Sequence, residues 1–117
     1  MIRKDNFVFI EHILDSIKDI ESFTEKVSKQ EFFENKEKQN AVVRSLEIIG
    51  EASKNISEDF KGKYKNIEWR EIIRTRDKII HHYFGVDLEI IWKIIKLDLP
   101  VLKRRLKEIF EIKGRLN

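Results

Sequence analysis

Cysteine is absent from this chain, which excludes disulfides, thiolate metal sites and cysteine nucleophiles. Proline occurs once and glycine four times, leaving few interruptions of a regular backbone and no glycine-rich loop to cradle a phosphate. No apolar run approaches the roughly 18 residues that a membrane span needs, and no secretory leader precedes Asp5, so the expected location is the cytoplasm, with no membrane partner. Metal-ligand patterns are missing as well: there is no H-E-x-x-H and no carboxylate trio at coherent spacing. His81 and His82 are adjacent, and on a helix they diverge by about 100°, a poor arrangement for chelating one ion. The expectation is therefore no metal and no cofactor. Neither sign of charge dominates, since 24 Lys and Arg against 21 Asp and Glu give a net charge of +3. That balance allows RNA or another phosphate ligand without requiring one; a salt-laced helical surface is the plainer account.

What the chain has is apolar residues at helical spacing. Its 117 residues suit one domain, 1–117, large enough to bury a single core. Period-two alternation is absent, so the fold class expected is all-α, an up-and-down bundle of four long helices plus a short one. The first helix is expected from about Asp5, as N-cap, to about Val27, with Phe7, Ile10, Ile13, Leu14, Ile17 and Ile20 as its stripe. His12 lies off that stripe's centre and reads as a plain surface or boundary residue rather than a ligand. Ser28 with Glu31 has the spacing of a capping box for a short helix through Phe32 and Phe33, two phenylalanines read as core or interface packing rather than as base-stacking platforms. A helix over about 36–56 follows, with Val42, Leu46, Ile49, Ala52 and Ile56 on one face. Gly50 inside it costs about 1 kcal/mol relative to alanine, so a neighbour is expected to approach its backbone closely. Residues 57–66 read as a surface loop. After Gly85, expected as a left-handed helix cap, Asp87 caps the last helix, whose stripe runs from Leu88 to Ile109. Pro100 within it lacks a donor, so a kink or fresh first turn is expected near 98–100. The basic run Lys103-Arg104-Arg105 with Lys107, Lys113 and Arg115 reads as a solvated face at a helix C-terminus, with a nucleic-acid patch as the competing reading.

One residue breaks the pattern. Trp69, Ile72, Ile73, Ile79 and Ile80 form the buried stripe of another amphipathic helix, and continuing that stripe lands on Arg76 and then Tyr83. A guanidinium in an apolar seam must be paired with an anion or left partly wet in a cleft. Glu51 reads as a salt-bridge partner or as the counter-charge that Arg76 needs, with a functional carboxylate the less favoured alternative. Asp77 and His81 stand four apart, so the carboxylate can orient the imidazole. Arg76 and Tyr83 are about two turns apart on one face. Arg76 and His81 are five apart and lie roughly 140° from each other around an ideal helix. They meet only if the helix unwinds near 82–85 or if a second copy contributes its own motif across a two-fold axis, and the symmetric dimer is the commoner geometry.

The run Arg76-x-x-x-x-His81-x-Tyr83 resembles the R-x-x-x-x-H-x-Y signature of the HEPN superfamily, in its HepT-like toxin branch. WREI before it, YFGVDLEIIWKIIKLDLP after it and IIGEA at 48–52 are similar to that branch too, over essentially the full length. A bare R-x-x-x-x-H is a weak signal; the tyrosine, the GVD turn and the tryptophan-bearing last helix make it a strong one. Asp77 departs from the commonest form, in which asparagine follows the arginine. The resemblance implies a HEPN-like two-fold homodimer and metal-independent endoribonuclease activity at paired motifs in an interface cleft. It further implies a type VII toxin–antitoxin module. In such a module Tyr83 is adenylylated to O-AMP-tyrosine by a cognate minimal nucleotidyltransferase.

The residues suit that chemistry. A neutral His81 can take the 2′-hydroxyl proton of RNA, and Arg76 can offset charge building on the phosphoryl oxygens. One histidine cannot readily serve as base and acid together, whereas a two-fold pair can. Two rivals belong to other classes. One is a non-catalytic nucleotide-binding or scaffold subunit of a nucleotidyltransferase complex. The other is an interaction module in which Arg76 is only a buried ion-pair partner.

Overall fold

The computed structural model describes residues 5–81 and 87–116, and for 80, 81 and 113–116 it describes the backbone alone. Helix α1 (Asn6–Thr24) starts where the Asp5 carboxylate accepts the Phe7 N–H at 3.0 Å, a side-chain cap satisfying a donor that the first turn leaves open. It ends three residues before the expected Val27. There the Thr24 hydroxyl donates back to the Ile20 carbonyl at 2.8 Å, and Lys26 adopts φ 59°, a left-handed residue that turns the chain.

Helix α2 (Lys29–Glu34) carries the capping box: Ser28 Oγ accepts from Glu31 N–H, and the Glu31 carboxylate accepts from Ser28 N–H. Phe32 is fully buried, 5.5 Å from the Trp92 ring, which settles its role as core. Helix α3 (Lys36–Asn55) starts on the Asn35 side chain, and the Gln39 amide reaches back to donate to the Phe32 and Phe33 carbonyls at the end of α2, the first of which also accepts the Asn35 N–H. Its inner face is Val42, Leu46, Ile49 and Ala52, with Ser45 and Ser53 among them. The Ser53 hydroxyl donates to the Ile49 carbonyl at 2.8 Å, so a buried polar group is satisfied inside its own helix and the face stays narrow.

Residues 57–66 are not simply a loop. They contain α4 (Glu58–Lys63), capped by Ser57, acidic in its first turn and basic in its last, an arrangement that suits the helix dipole. Ser57 and Asn6 also bond reciprocally, at 3.1 and 2.9 Å, tying the start of α4 to the start of α1. Phe60 anchors the short helix between the Phe7 and Tyr64 rings. Helix α5 (Trp69–His81) follows, held at its start by the Trp69 indole N–H donating to the Tyr64 carbonyl at 3.1 Å.

Asp87 caps α6 (Leu88–Lys93), accepting from Glu89 and Ile90 N–H; the expected left-handed cap at Gly85 lies outside the described residues. From Ile94 to Asp98 the helix widens to a π turn, in which Leu99 N–H bonds the Ile94 carbonyl, and α7 (Leu99–Leu116) continues beyond it. The irregularity expected near 98–100 is thus real but begins before the proline. Pro100 has no N–H, and its ring crowds the carbonyl four residues back; widening the preceding turn by one residue accommodates both.

The result is an all-α bundle, with no strand among the described residues. Its long members are α1, α3, α5 and the run from α6 to α7; α2 and α4 are the short ones. Helix α3 is central, packing against α1 and against α5, while α7 closes on α1. All contribute to one apolar core, from Ile10 and Ile17 of α1 to Leu106 and Ile109 of α7. Among the described residues no helix is long and apolar enough to cross a membrane.

Candidate functional site at the contact of α3 and α5

Helix α5 is strongly amphipathic. Trp69 and Ile79 are buried, Ile72 and Ile73 are half-buried, and Arg76 occupies the position between them that the stripe reserves for an apolar residue. Its side chain is only 23% exposed. Such a cation needs counter-charge, and two carboxylates supply it. Nη2 pairs with Glu51 of α3 at 2.9 Å, and Nη1 pairs with Asp77 of its own helix at 3.0 Å. Nε is buried and has no hydrogen-bond partner among the described residues, an uncommon state for a buried donor.

The backbone of α3 makes room for this. A β-carbon built on Gly50 would overlap Arg76 Cβ and lie 2.5 Å from its Cγ. Real β-carbons do not approach so closely, so glycine is required for the arginine stem to lie across α3. The neighbour expected at Gly50 is therefore Arg76 itself, and the next residue, Glu51, is the counter-charge. Glu51 is 54% exposed and Asp77 46%. The cluster thus opens to solvent on its carboxylate side and is closed at Nε.

The remaining candidates are placed by backbone or not at all. His81 is the last residue of α5, and its side chain lies outside the described residues, as does the whole of Tyr83. The expected Asp77–His81 pairing and the shared face of Arg76 and Tyr83 lie outside them too. The described contact of Asp77 is with Arg76, one that the four-residue spacing to His81 did not suggest. Helix α5 is continuous from Trp69 to His81, so positions 76 and 81 stay about 140° apart around its axis.

Other charged groups are engaged in holding the fold. Lys103 bonds both oxygens of Glu21 at 2.9 Å, joining α7 to α1, and Arg105 donates to the Asn66 carbonyl before α5. Two members of the basic run are thereby committed to tying helices together, a role that sequence reasoning missed because both partners are distant in the chain. His12 is exposed, edge-on to Phe9. A groove of about 260 Å³ runs beside α5, between α3 and the π turn, lined by Ile72, Thr75, Leu97 and Leu102 among others. It is largely apolar and does not include Arg76. Among the described residues no group of three His, Cys, Asp or Glu could hold a metal ion.

Residues 13–109 match a family model described as ribonuclease HepT-like. The chain is 48% identical over 112 residues to a Methanocaldococcus jannaschii protein named as a putative RNase, an alignment covering 96% of this chain and 90% of that one. It is also 48% identical over 101 residues to a protein of Thermococcus cleftensis named probable ribonuclease HepT, covering 86% and 92%. A longer M. jannaschii protein, named gamma-glutamylcyclotransferase and putative RNase, is 44% identical over 110 residues; the alignment takes in 94% of this chain and 50% of that protein. No solved structure gives a significant match.

Proposed function

The chain belongs to the HepT-like ribonuclease family, and we propose that within it the protein is a metal-independent endoribonuclease toxin acting as a homodimer. The observation that carries this reading is the Arg76 guanidinium, seated in an apolar helix face through a glycine-made gap and opening to solvent at its carboxylate edge. An anion-binding group kept there at the cost of desolvation is a site candidate on physical grounds.

In the proposed reaction His81 of one protomer takes the proton of a ribose 2′-hydroxyl, and the 2′-oxygen attacks the adjacent phosphorus. Arg76 stabilises the charge that develops on the phosphoryl oxygens. The P–O5′ bond breaks, and His81 of the partner subunit donates a proton to the departing 5′-oxygen. The products are a 2′,3′-cyclic phosphate and a 5′-hydroxyl. Asp77 positions the imidazole as well as the guanidinium. The unbroken run of α5 through His81 supports the dimer, because positions 76 and 81 of one helix do not converge.

Control is proposed at Tyr83. A nucleotidyltransferase antitoxin transfers AMP from ATP to the phenol oxygen with loss of pyrophosphate. The added phosphodiester then competes with RNA phosphate for Arg76. Together these make a type VII toxin–antitoxin module.

The test is cleavage of RNA in chelator by protein freed of AMP. Wild type is expected to cut and His81→Ala to lose at least about 100-fold, as removal of an acid–base group does; equal behaviour of the two would sink the proposal. One observation favours a second reading. Both terminal nitrogens of Arg76 are already paired, as they are in a structural ion pair. On that reading Arg76→Met leaves cleavage untouched and raises stability; on the proposed one it abolishes cleavage.

A further inference from the structure

The pairing of Arg76 raises a question that the reaction does not answer. One cation faces two carboxylates, so the cluster carries a net negative charge where an RNA phosphate is to bind. Nε is buried, which leaves the edge bearing Nη1 and Nη2 as the route of approach, and both carboxylates sit on that edge. Guanidinium has five N–H donors in a fixed plane. With one donor on each terminal nitrogen given to a carboxylate, each still has one for an incoming oxygen. The carboxylates therefore need not leave for phosphate to be gripped, but their charge opposes it.

The two are not equivalent. Asp77 is the sequence neighbour of Arg76 and moves with it. Glu51 belongs to a different helix and is fixed next to Gly50, where the arginine stem crosses. It alone can hold the guanidinium against rotation relative to α3. We propose that Glu51 is a positioning residue of this site: it aims Nη2 across the contact of α3 and α5 while its charge loosens the grip of Arg76 on phosphate. The inference rests on the ribonuclease reading and adds to it a residue outside the R-x-x-x-x-H-x-Y run. Its consequence is an enzyme that binds RNA more weakly than its arginine would allow and releases products more readily.

Two variants separate position from charge. Glu51→Gln keeps an acceptor for Nη2 and removes the charge. Glu51→Ala removes both. With Glu51→Gln, KM is expected to fall by up to about fivefold, the scale of a partly exposed charge pair, with kcat changing less than KM. The salt dependence of RNA binding should steepen by about 0.7 in log–log slope, as for one more effective cation on a single strand. Glu51→Ala should lower kcat by about tenfold or more, since a loosened group loses its alignment, while circular dichroism and melting show a folded protein. Binding of a 2′-O-methyl RNA, which cannot be cleaved, is measured in parallel. If wild type cleaves and Glu51→Gln leaves KM, salt slope and 2′-O-methyl RNA affinity unchanged, the inference is overturned and the ribonuclease reading stands. If wild type does not cleave, the ribonuclease reading fails, and the binding arm still decides: tighter binding by Glu51→Gln supports the charge effect, and unchanged binding overturns it. Should Glu51→Ala fail to fold, Glu51→Gln carries the charge arm and Glu51→Asp, whose shorter side chain draws the acceptor away from Nη2, carries the positioning arm; an unchanged kcat in a folded Glu51→Ala or Glu51→Asp overturns the positioning role.

Discussion

Arg76 gathers its surroundings by two demands, one of space and one of charge. Space comes from Gly50. Gly50→Ala would gain roughly 1 kcal/mol of helix propensity yet would set a methyl group into the arginine stem. Both partners lie on packed helices, so neither yields cheaply. Overpacking costs up to about 3 kcal/mol, so after the propensity gain the expected net loss is about 2 kcal/mol, read as a lower urea midpoint; a midpoint equal to or above wild type would show that the overlap is relieved without penalty. Charge comes from Glu51 and Asp77. Much of this was legible beforehand, because a cation on an apolar stripe and a glycine in mid-helix are both local misfits, and each implies a missing neighbour. Periodicity could not show that the two misfits answer each other, since residues 50 and 76 are joined only by the packing of α3 on α5. The bond from Arg76 to Asp77 was hidden for another reason: adjacent helix positions do not ordinarily face each other, and only the reach of the arginine brings it round.

Among the elements, the long helices follow from their stripes and caps. Asp5, Ser28, Asn35 and Asp87 all cap the helices that follow them. The short α4 was unreadable because six residues with one apolar anchor show no period. Its stability comes from Ser57 and from Phe7 and Asn6, some fifty residues earlier. Ser57→Ala removes both the cap on Phe60 N–H and the bond from Asn6, and the expected cost is about 1–2 kcal/mol, measured by denaturant unfolding. No measurable change would mean that neither the cap nor the bond from the Asn6 amide holds α4 in place. The π turn shows the opposite relation, in which the sequence located a disturbance through Pro100 but the helix relieves it one turn earlier. Exchanging Pro100 for alanine restores a donor and removes the ring's crowding, so amide exchange over 94–98 should slow relative to wild type; faster exchange there would contradict the link.

For the whole molecule the decisive quantity is stoichiometry. Each chain carries one His81, whereas the proposed reaction uses a base and an acid, so on that proposal the working unit is a dimer in which every productive site draws on both protomers. A mixing experiment addresses this directly. Wild type and His81→Ala protein, both free of AMP, are combined in equal amounts, allowed to exchange subunits, and assayed for RNA cleavage in chelator at fixed total protein. If both His81 residues serve each site, only the wild-type homodimers cut and activity falls to about one quarter of the pure wild-type value, as random pairing into two-fold dimers requires. A fall to one half, in proportion to the wild-type protein present, would mean that each chain works alone, and absence of cleavage by the pure wild type would contradict the account outright.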